Sequence, residues 1–174
     1  MKSLKFLLIT FLLVSCAVKV NYDYEKATDF NTYKSYNYFD DMTTGLSELD
    51  NKRLIRVMDA KLETMGLTRS ENPDFFIDIK SQNIQGRNNS NVGVGVGGGG
   101  GRLGGGLSVG IPIGQNKATR EISIEFVDDT KTGMFWQAIT ESSYTDNDIP
   151  EKREEQFKVI VEKVFSSYPP KQNE

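Results

Sequence analysis

The chain has 174 residues, with 21 Lys and Arg against 24 Asp and Glu for a net charge of −3, one cysteine and no histidine. That length supports one domain with a real core, and a mildly acidic balance without a basic block argues against nucleic acid as a partner. Without histidine, zinc centres built on His and Cys are excluded, as are Ser-His-Asp and Cys-His catalysis, and a single cysteine leaves no intrachain disulfide.

The N-terminus carries the densest signal. Lys2 and Lys5 precede an apolar run from Phe6 to Val14, and Leu13, Val14, Ser15 and Cys16 follow one another at its end. A basic start, a short apolar stretch and small residues before a cut site form a secretory signal, and the run is too short to span a hydrocarbon core. The four residues Leu13, Val14, Ser15 and Cys16 resemble the bacterial lipobox. That resemblance implies cleavage of residues 1–15 as a lipoprotein signal peptide. Diacylglycerol and a fatty acid such as palmitate would then be carried covalently on Cys16, with no other cofactor and no metal. Cys16 is the sole cysteine. Ala17 rather than Asp follows it, which implies the cell outer membrane, with the domain 16–174 in the periplasm and the lipid anchor as its attachment to the membrane.

From Ala17 to Tyr24, Val18, Val20, Tyr22 and Tyr24 alternate with Lys19, Asn21 and Asp23, the pattern of a half-buried strand. After a polar break, Tyr33, Ser35, Asn37 and Phe39 alternate with Lys34, Tyr36 and Tyr38, a second, aromatic-rich strand. Asp40 to Gly45 reads as a turn. Residues 46–66 then switch to helical spacing, with Leu54, Ile55, Met58, Leu62 and Met65 on one face, Ser47 as N-cap and Gly66 just past the end. Asn72-Pro73 precedes a strand over Asp74–Lys80 with Phe75, Ile77 and Ile79 on one side. Strand spacing returns over Arg120–Val127, with Ile122, Ile124 and Phe126 together. Asp128 to Gly133 is a turn, and Met134–Tyr144 completes a hairpin with Trp136, Ala138 and Thr140 opposite Phe135, Gln137 and Ile139. A last helix follows, with Asp148 as its expected cap, Glu151 completing a capping box and Pro150 in the first turn. Its apolar stripe is Phe157, Ile160, Val161, Val164, Phe165 and Tyr168, and the tail 169–174 should fray. Two amphipathic helices need one surface to cover. The expected fold is α+β, a two-layer sandwich of a mostly antiparallel sheet with both helices on one face.

The segment 86–116 is a glycine-rich insert. Phosphate-loop readings of Gly93 to Gly98 fail, because no helix follows and no Gly-Lys-Ser/Thr occurs. Val92, Val94 and Val96 alternate with glycine on the way in, and Leu107, Val109, Ile111 and Ile113 on the way out. Period-two spacing places these seven side chains on one face, which offers an interaction surface if the segment is a long hairpin. The simpler reading is a flexible loop held open by glycine. The aromatic set Tyr22, Tyr24, Phe30, Tyr33, Tyr36, Tyr38 and Phe39 is read as sheet packing in preference to a ligand groove, and Glu151 to Glu155 as a solvated first turn.

The blocks Val20-Asn21-Tyr22-Asp23-Tyr24, Asp29-Phe30-Asn31-Thr32-Tyr33-Lys34-Ser35-Tyr36, Asn72-Pro73-Asp74-Phe75 and the hairpin from Val127-Asp128 to Trp136 together resemble DUF4136, a family of bacterial lipoproteins without assigned activity. The resemblance covers nearly the whole of 16–174 and brings no catalytic residue. Ser35 stands where Thr is commoner. The reading that follows is a non-enzymatic, membrane-anchored envelope lipoprotein, a binding or structural module for an envelope protein or glycan. The alternative is a hydrolase acting on a glycan through two carboxylates alone.

Overall fold

The computed structural model describes residues 18–84, 118–131, 133–145 and 147–171. In chain order these form β1 (Lys19–Tyr24), a 3-10 turn (Phe30–Thr32), β2 (Ser35–Tyr38), α1 (Glu48–Thr64), β3 (Thr68–Arg69), β4 (Phe75–Ile84), β5 (Ala118–Asp128), β6 (Gly133–Tyr144) and α2 (Pro150–Phe165). The six strands make one open sheet in the order β1-β6-β5-β4-β2-β3. From β1 to β4 neighbours run antiparallel, whereas β2 is parallel to both β4 and β3. The helix α1 lies between β2 and β4 in sequence, and such a crossover brings the second strand back parallel. The expected α+β class holds, with a sheet that is mixed. The two-residue β3 is too short to show alternation in the sequence.

One face of this sheet and the two helices share a single core. Phe75, Ile77 and Ile79 of β4, Ile122, Ile124 and Phe126 of β5, and Trp136 and Ala138 of β6 meet Leu54, Met58 and Leu62 of α1 and Phe157, Ile160, Val161, Val164 and Phe165 of α2. Both helical stripes face the core as their spacing indicates, with Ile55 and Met65 only partly buried and Tyr168 packed on the core from beyond the end of α2. The expected strand phase fails at one residue. Strict alternation puts Phe135 on the face opposite Trp136, yet both are 1% exposed. The cause is a β-bulge: Phe126 pairs with Trp136 and Val127 with Met134, leaving Phe135 without a partner on β5. An extra residue resets the alternation, so two consecutive aromatics point inward. Phe135 then stacks on Tyr33 at 4.3 Å.

Helix α1 begins and ends as its sequence indicates, within two residues. The Ser47 hydroxyl accepts from the Asp50 N–H. At the other end Gly66 takes φ 82°. The Leu67 N–H bonds to the Leu62 carbonyl and the Gly66 N–H to that of Glu63, the two bonds of a Schellman cap. Helix α2 corrects the capping expectation. Its N-cap is Ile149, with no side-chain cap bond, although Pro150 does occupy the first turn. The Asp148 carboxylate accepts instead from Lys152 Nζ and Gln156 Nε2, so it binds side chains one and two turns on rather than the orphan N–H groups.

The motifs that carry the family resemblance meet at one joint. Asp74 Oδ2 accepts from the backbone N–H groups of Lys34 and Ser35 and from the Ser35 hydroxyl, at 2.8 to 2.9 Å. This carboxylate locks β2 beside β4 where their pairing starts. At the far end of β2 the loop turns through Gly45, φ 73°, where a Cβ would stand 2.5 Å from the Ser81 carbonyl oxygen. Only glycine fits that approach, which lets the Ser81 N–H reach the Thr44 carbonyl at 2.7 Å.

Two carboxylates make the fold acid-sensitive. The Lys34 N–H, with those from Ser35, holds Asp74 below its ordinary pKa against a desolvation cost. Burial pushes Asp128 up, but the Thr130 and Tyr33 hydroxyls, the Thr130 N–H and Lys131 together outweigh it and hold the carboxyl low. Each group therefore stabilises the fold above the unfolded pKa of about 3.9, and the contribution is lost as pH falls through the lower folded value. Thermal unfolding followed from pH 7 to pH 2 should show the melting temperature falling below about pH 4, with a shallower fall in Asp128→Asn. An equal slope in both proteins would contradict this assignment.

β4 and β5 pair antiparallel up to Ile84 and Thr119. The segment carrying Val92, Val94, Val96, Leu107, Val109, Ile111 and Ile113 lies outside the described residues, as do residues 1–17. Because the strands flanking the insert are direct neighbours, deleting Asn89 to Gly114 should leave a closable connection of residues 85–88 and 115–117. Loop-closure entropy changes only logarithmically with length. The deletion protein should keep the far-ultraviolet spectrum of the intact chain and unfold cooperatively. Loss of cooperative unfolding would show that the insert contributes to the core.

Candidate functional site

One end of the molecule collects most of the features that can meet a partner. Here the N-terminal ends of α1 and α2 lie beside the start of β5 and the end of β6, where Ala118 pairs with Tyr144. The helices run in parallel, tied by Asp50 to Arg153, Arg56 to Glu154 and Lys61 to Glu162.

At the centre of this end sits Asp50, 1% exposed. Its two oxygens each take an arginine, Oδ1 from Arg53 and Oδ2 from Arg153, both at 2.7 Å. Arg153 also donates through Nε to the Asp148 carbonyl at 3.0 Å. Burial works against the Arg153 charge, but the Asp50 carboxylate outweighs it and holds the guanidinium's pKa up. A third guanidinium, Arg120, lies over the Tyr144 ring at 3.3 Å from its centroid and donates to Asn83 Oδ1 at 3.3 Å. Between Asp50, Arg120, Arg153, Tyr144 and Gln156 is a cleft of about 10 Å³, room for one water molecule. Its chemistry is that of a neutralised carboxylate among guanidiniums, with Ser142 and Ser143 also on its wall. Outside it, Leu49, Arg53, Arg56, Pro150 and Glu154 line a shallow groove between the two helix starts.

A second polar cluster pins α1 to the opposite sheet edge. The hydroxyls of Tyr36 and Tyr38 both donate to Asp59 Oδ1 at 2.8 Å, and Arg69 approaches Asp59 Oδ2 at 3.6 Å. Desolvation first, then the Asp59 charge and hydrogen bonds, push both phenols well above their ordinary pKa. These tyrosines remain neutral donors, a packing role.

The sequence-predicted candidates distribute as follows. Phe30, Tyr33, Tyr36 and Tyr38 are buried in the core, and Tyr22 and Tyr24 pack against it. Phe39 stacks on Phe76 at 5.0 Å. The aromatic set is therefore sheet packing. Leu13, Val14, Ser15 and Cys16 lie outside the described residues. The run Glu151 to Glu155 is mostly solvated, but Arg153 turns inward to Asp50, a correction to the reading of that turn as wholly surface. Asp128, expected only in a turn, is buried and accepts from the Tyr33 hydroxyl at 3.0 Å. Among the described residues no group of three or more carboxylates is placed to hold a metal ion, and no helix is long and apolar enough to cross a membrane.

Two solved structures share this architecture. A PDZ domain protein from Parabacteroides distasonis matches over 91% of this chain with a TM-score of 0.52 and 17% identity, and the chain spans 36% of that protein's length. The PelC dodecamer from Paraburkholderia phytofirmans matches over 86% of this chain and 96% of its own, with a TM-score of 0.51 and 11% identity. At such identities the likeness is one of fold. No curated protein matches. The family model for the domain of unknown function DUF4136 matches residues 20–170, the span that includes the Asp74 joint and the bulged hairpin, and the chain belongs to that family.

Proposed function

We propose that this chain is the non-enzymatic body of an envelope lipoprotein, held at the outer membrane by acyl chains on Cys16 and serving as a binding or structural module for an envelope protein or glycan. The observation that carries the reading is the junction at its start. The apolar run and Leu13, Val14, Ser15 and Cys16 end two residues before Val18, where the packed domain begins. A signal peptide cut before Cys16 would leave a whole domain with almost no linker. The clefts at the helix starts support a non-catalytic role, since Asp50 and Glu154 there are taken up by arginines.

The alternative, a glycan hydrolase using two carboxylates, has one observation in its favour: Glu121 of β5 stands directly opposite Glu141 of β6. Both project from the sheet face that, among the described residues, carries no helix, and Gln82 Nε2 already donates to Glu121. An open sheet face does not by itself exclude water or hold a sugar ring, so the module reading is preferred.

Cys16→Ala should abolish incorporation of an alkyne fatty acid and move the protein from the membrane fraction to the soluble fraction of lysed cells. Equal labelling and equal membrane recovery of both proteins would refute the anchor.

A further inference from the structure

The register of β1 fixes which end of the domain an anchor on Cys16 would hold. Lys19 pairs with Glu141 of β6, and Glu141 lies across from Glu121 and so from Gln82. The chain therefore enters the sheet at the end that carries Tyr144, the start of β5 and both helix N-termini. Two residues, Ala17 and Val18, separate Cys16 from Lys19, and the three chain steps reach at most about 11 Å. The opposite end, at the Asp128–Gly133 turn, is the length of β5 away, on the order of 35 Å.

The tethered end also carries unpaired apolar surface. Leu49 and Ile149, at the starts of the two helices, are 62% and 63% exposed. The charges around them largely balance: Lys52 pairs with Glu48, Lys152 with Asp148 and Arg56 with Glu154, while Arg53 and Arg153 share Asp50 and Glu151 lies in the same groove. Two apolar prongs in a ring of paired charges fit the headgroup region of a bilayer by hydrophobic contact, without a requirement for anionic lipid.

We propose that this end is seated on the bilayer, with Leu49 and Ile149 entering the headgroup region beside the acylated Cys16 and the Asp128–Gly133 turn directed away. The proposal rests on the anchor reading above and adds an orientation and two contact residues to it. A mobile tether alone would let the domain tumble. The apolar contacts are what hold it upright.

The test uses the full chain, processed in a bacterial envelope and reconstituted in phosphatidylcholine vesicles containing a nitroxide-labelled lipid. Leu49→Cys, Ile149→Cys and Asp129→Cys each place one thiol at an exposed site, and acylation blocks Cys16, so a thiol-reactive fluorophore marks only the introduced position. Probes at 49 and 149 should be quenched several-fold more than the probe at 129. Equal quenching at all three sites in acylated protein would overturn the orientation while leaving the anchor standing. Quenching at none, with emission at 49 and 149 that depends on protein density in the vesicle, would assign the surface to a second copy and also overturn the proposal. A free thiol at Cys16 would defeat the anchor reading and this orientation with it.

Discussion

Trp136→Ala is expected to destabilise the domain by about 3–5 kcal/mol, the range for truncating a buried large aromatic. Trp136 is 1% exposed. It stacks on Phe165 of α2 at 5.9 Å and 12°, contacts Phe126 of β5 at 4.6 Å, and meets Tyr168 edge-on at 5.2 Å. Its ring joins the central hairpin to the second helix, so truncation opens a cavity bounded by three elements that cannot collapse together. For a domain of this size the melting temperature should fall by roughly 6–20 °C. Urea unfolding of the wild-type and variant proteins measures the loss directly, and native emission of Trp136 should be blue-shifted from that of the unfolded chain. A cost below about 1 kcal/mol would mean that the site repacks and that α2 is not fixed through this ring.

The second large effect is expected at Asp50. Removing one member of a buried charge pair leaves the others desolvated and unmatched, which typically costs about 3–5 kcal/mol. Asp50→Ala strands two guanidiniums, Arg53 and Arg153, whose side chains are 17% and 19% exposed. That residual contact with water places the expected cost near the lower limit, about 3 kcal/mol. Because Arg153 lies on α2 and Asp50 on α1, the loss should be shared: Arg153→Ala in the Asp50→Ala background should cost less than Arg153→Ala alone. Additive losses in this double-mutant cycle would show that the carboxylate does not couple the helices.

The same cluster explains what was legible in the sequence and what was not. The apolar periodicities of both helices and of β4 and β5 translate directly into buried faces, because burial at one parity or one stripe is the physical cause of the pattern. The polar cluster is written in the same periodicity but in residues usually read as surface. Asp50 precedes Leu54, Met58 and Leu62 by steps of four, Arg153 precedes Phe157 and Val161 likewise, and Arg120 shares the parity of Ile122, Ile124 and Phe126. Charged residues that continue an apolar face are a signal of paired burial, and one that composition alone conceals.

Phe135 marks a different limit. A bulge adds a residue near the start of β6, so simple alternation puts Phe135 on the wrong face while Trp136, Ala138 and Thr140 keep the phase that their spacing gives. The missing cap on α2 has a related cause. Asp148 satisfies its oxygens with Lys152 and Gln156, and a side chain with strong local partners is unavailable to the helix terminus. The parallel placement of β2 depends on where α1 crosses the sheet, a matter of tertiary packing that strand patterns do not encode.

The anchor on Cys16 is the claim on which localisation, orientation and function all depend. Mass spectrometry of the N-terminal peptide, from protein purified out of the cell envelope, tests it most directly. The account predicts a chain that begins at Cys16, lacks residues 1–15 and carries the added mass of diacylglycerol and a fatty acid. A chain that retains those residues with an unmodified Cys16 thiol would contradict it.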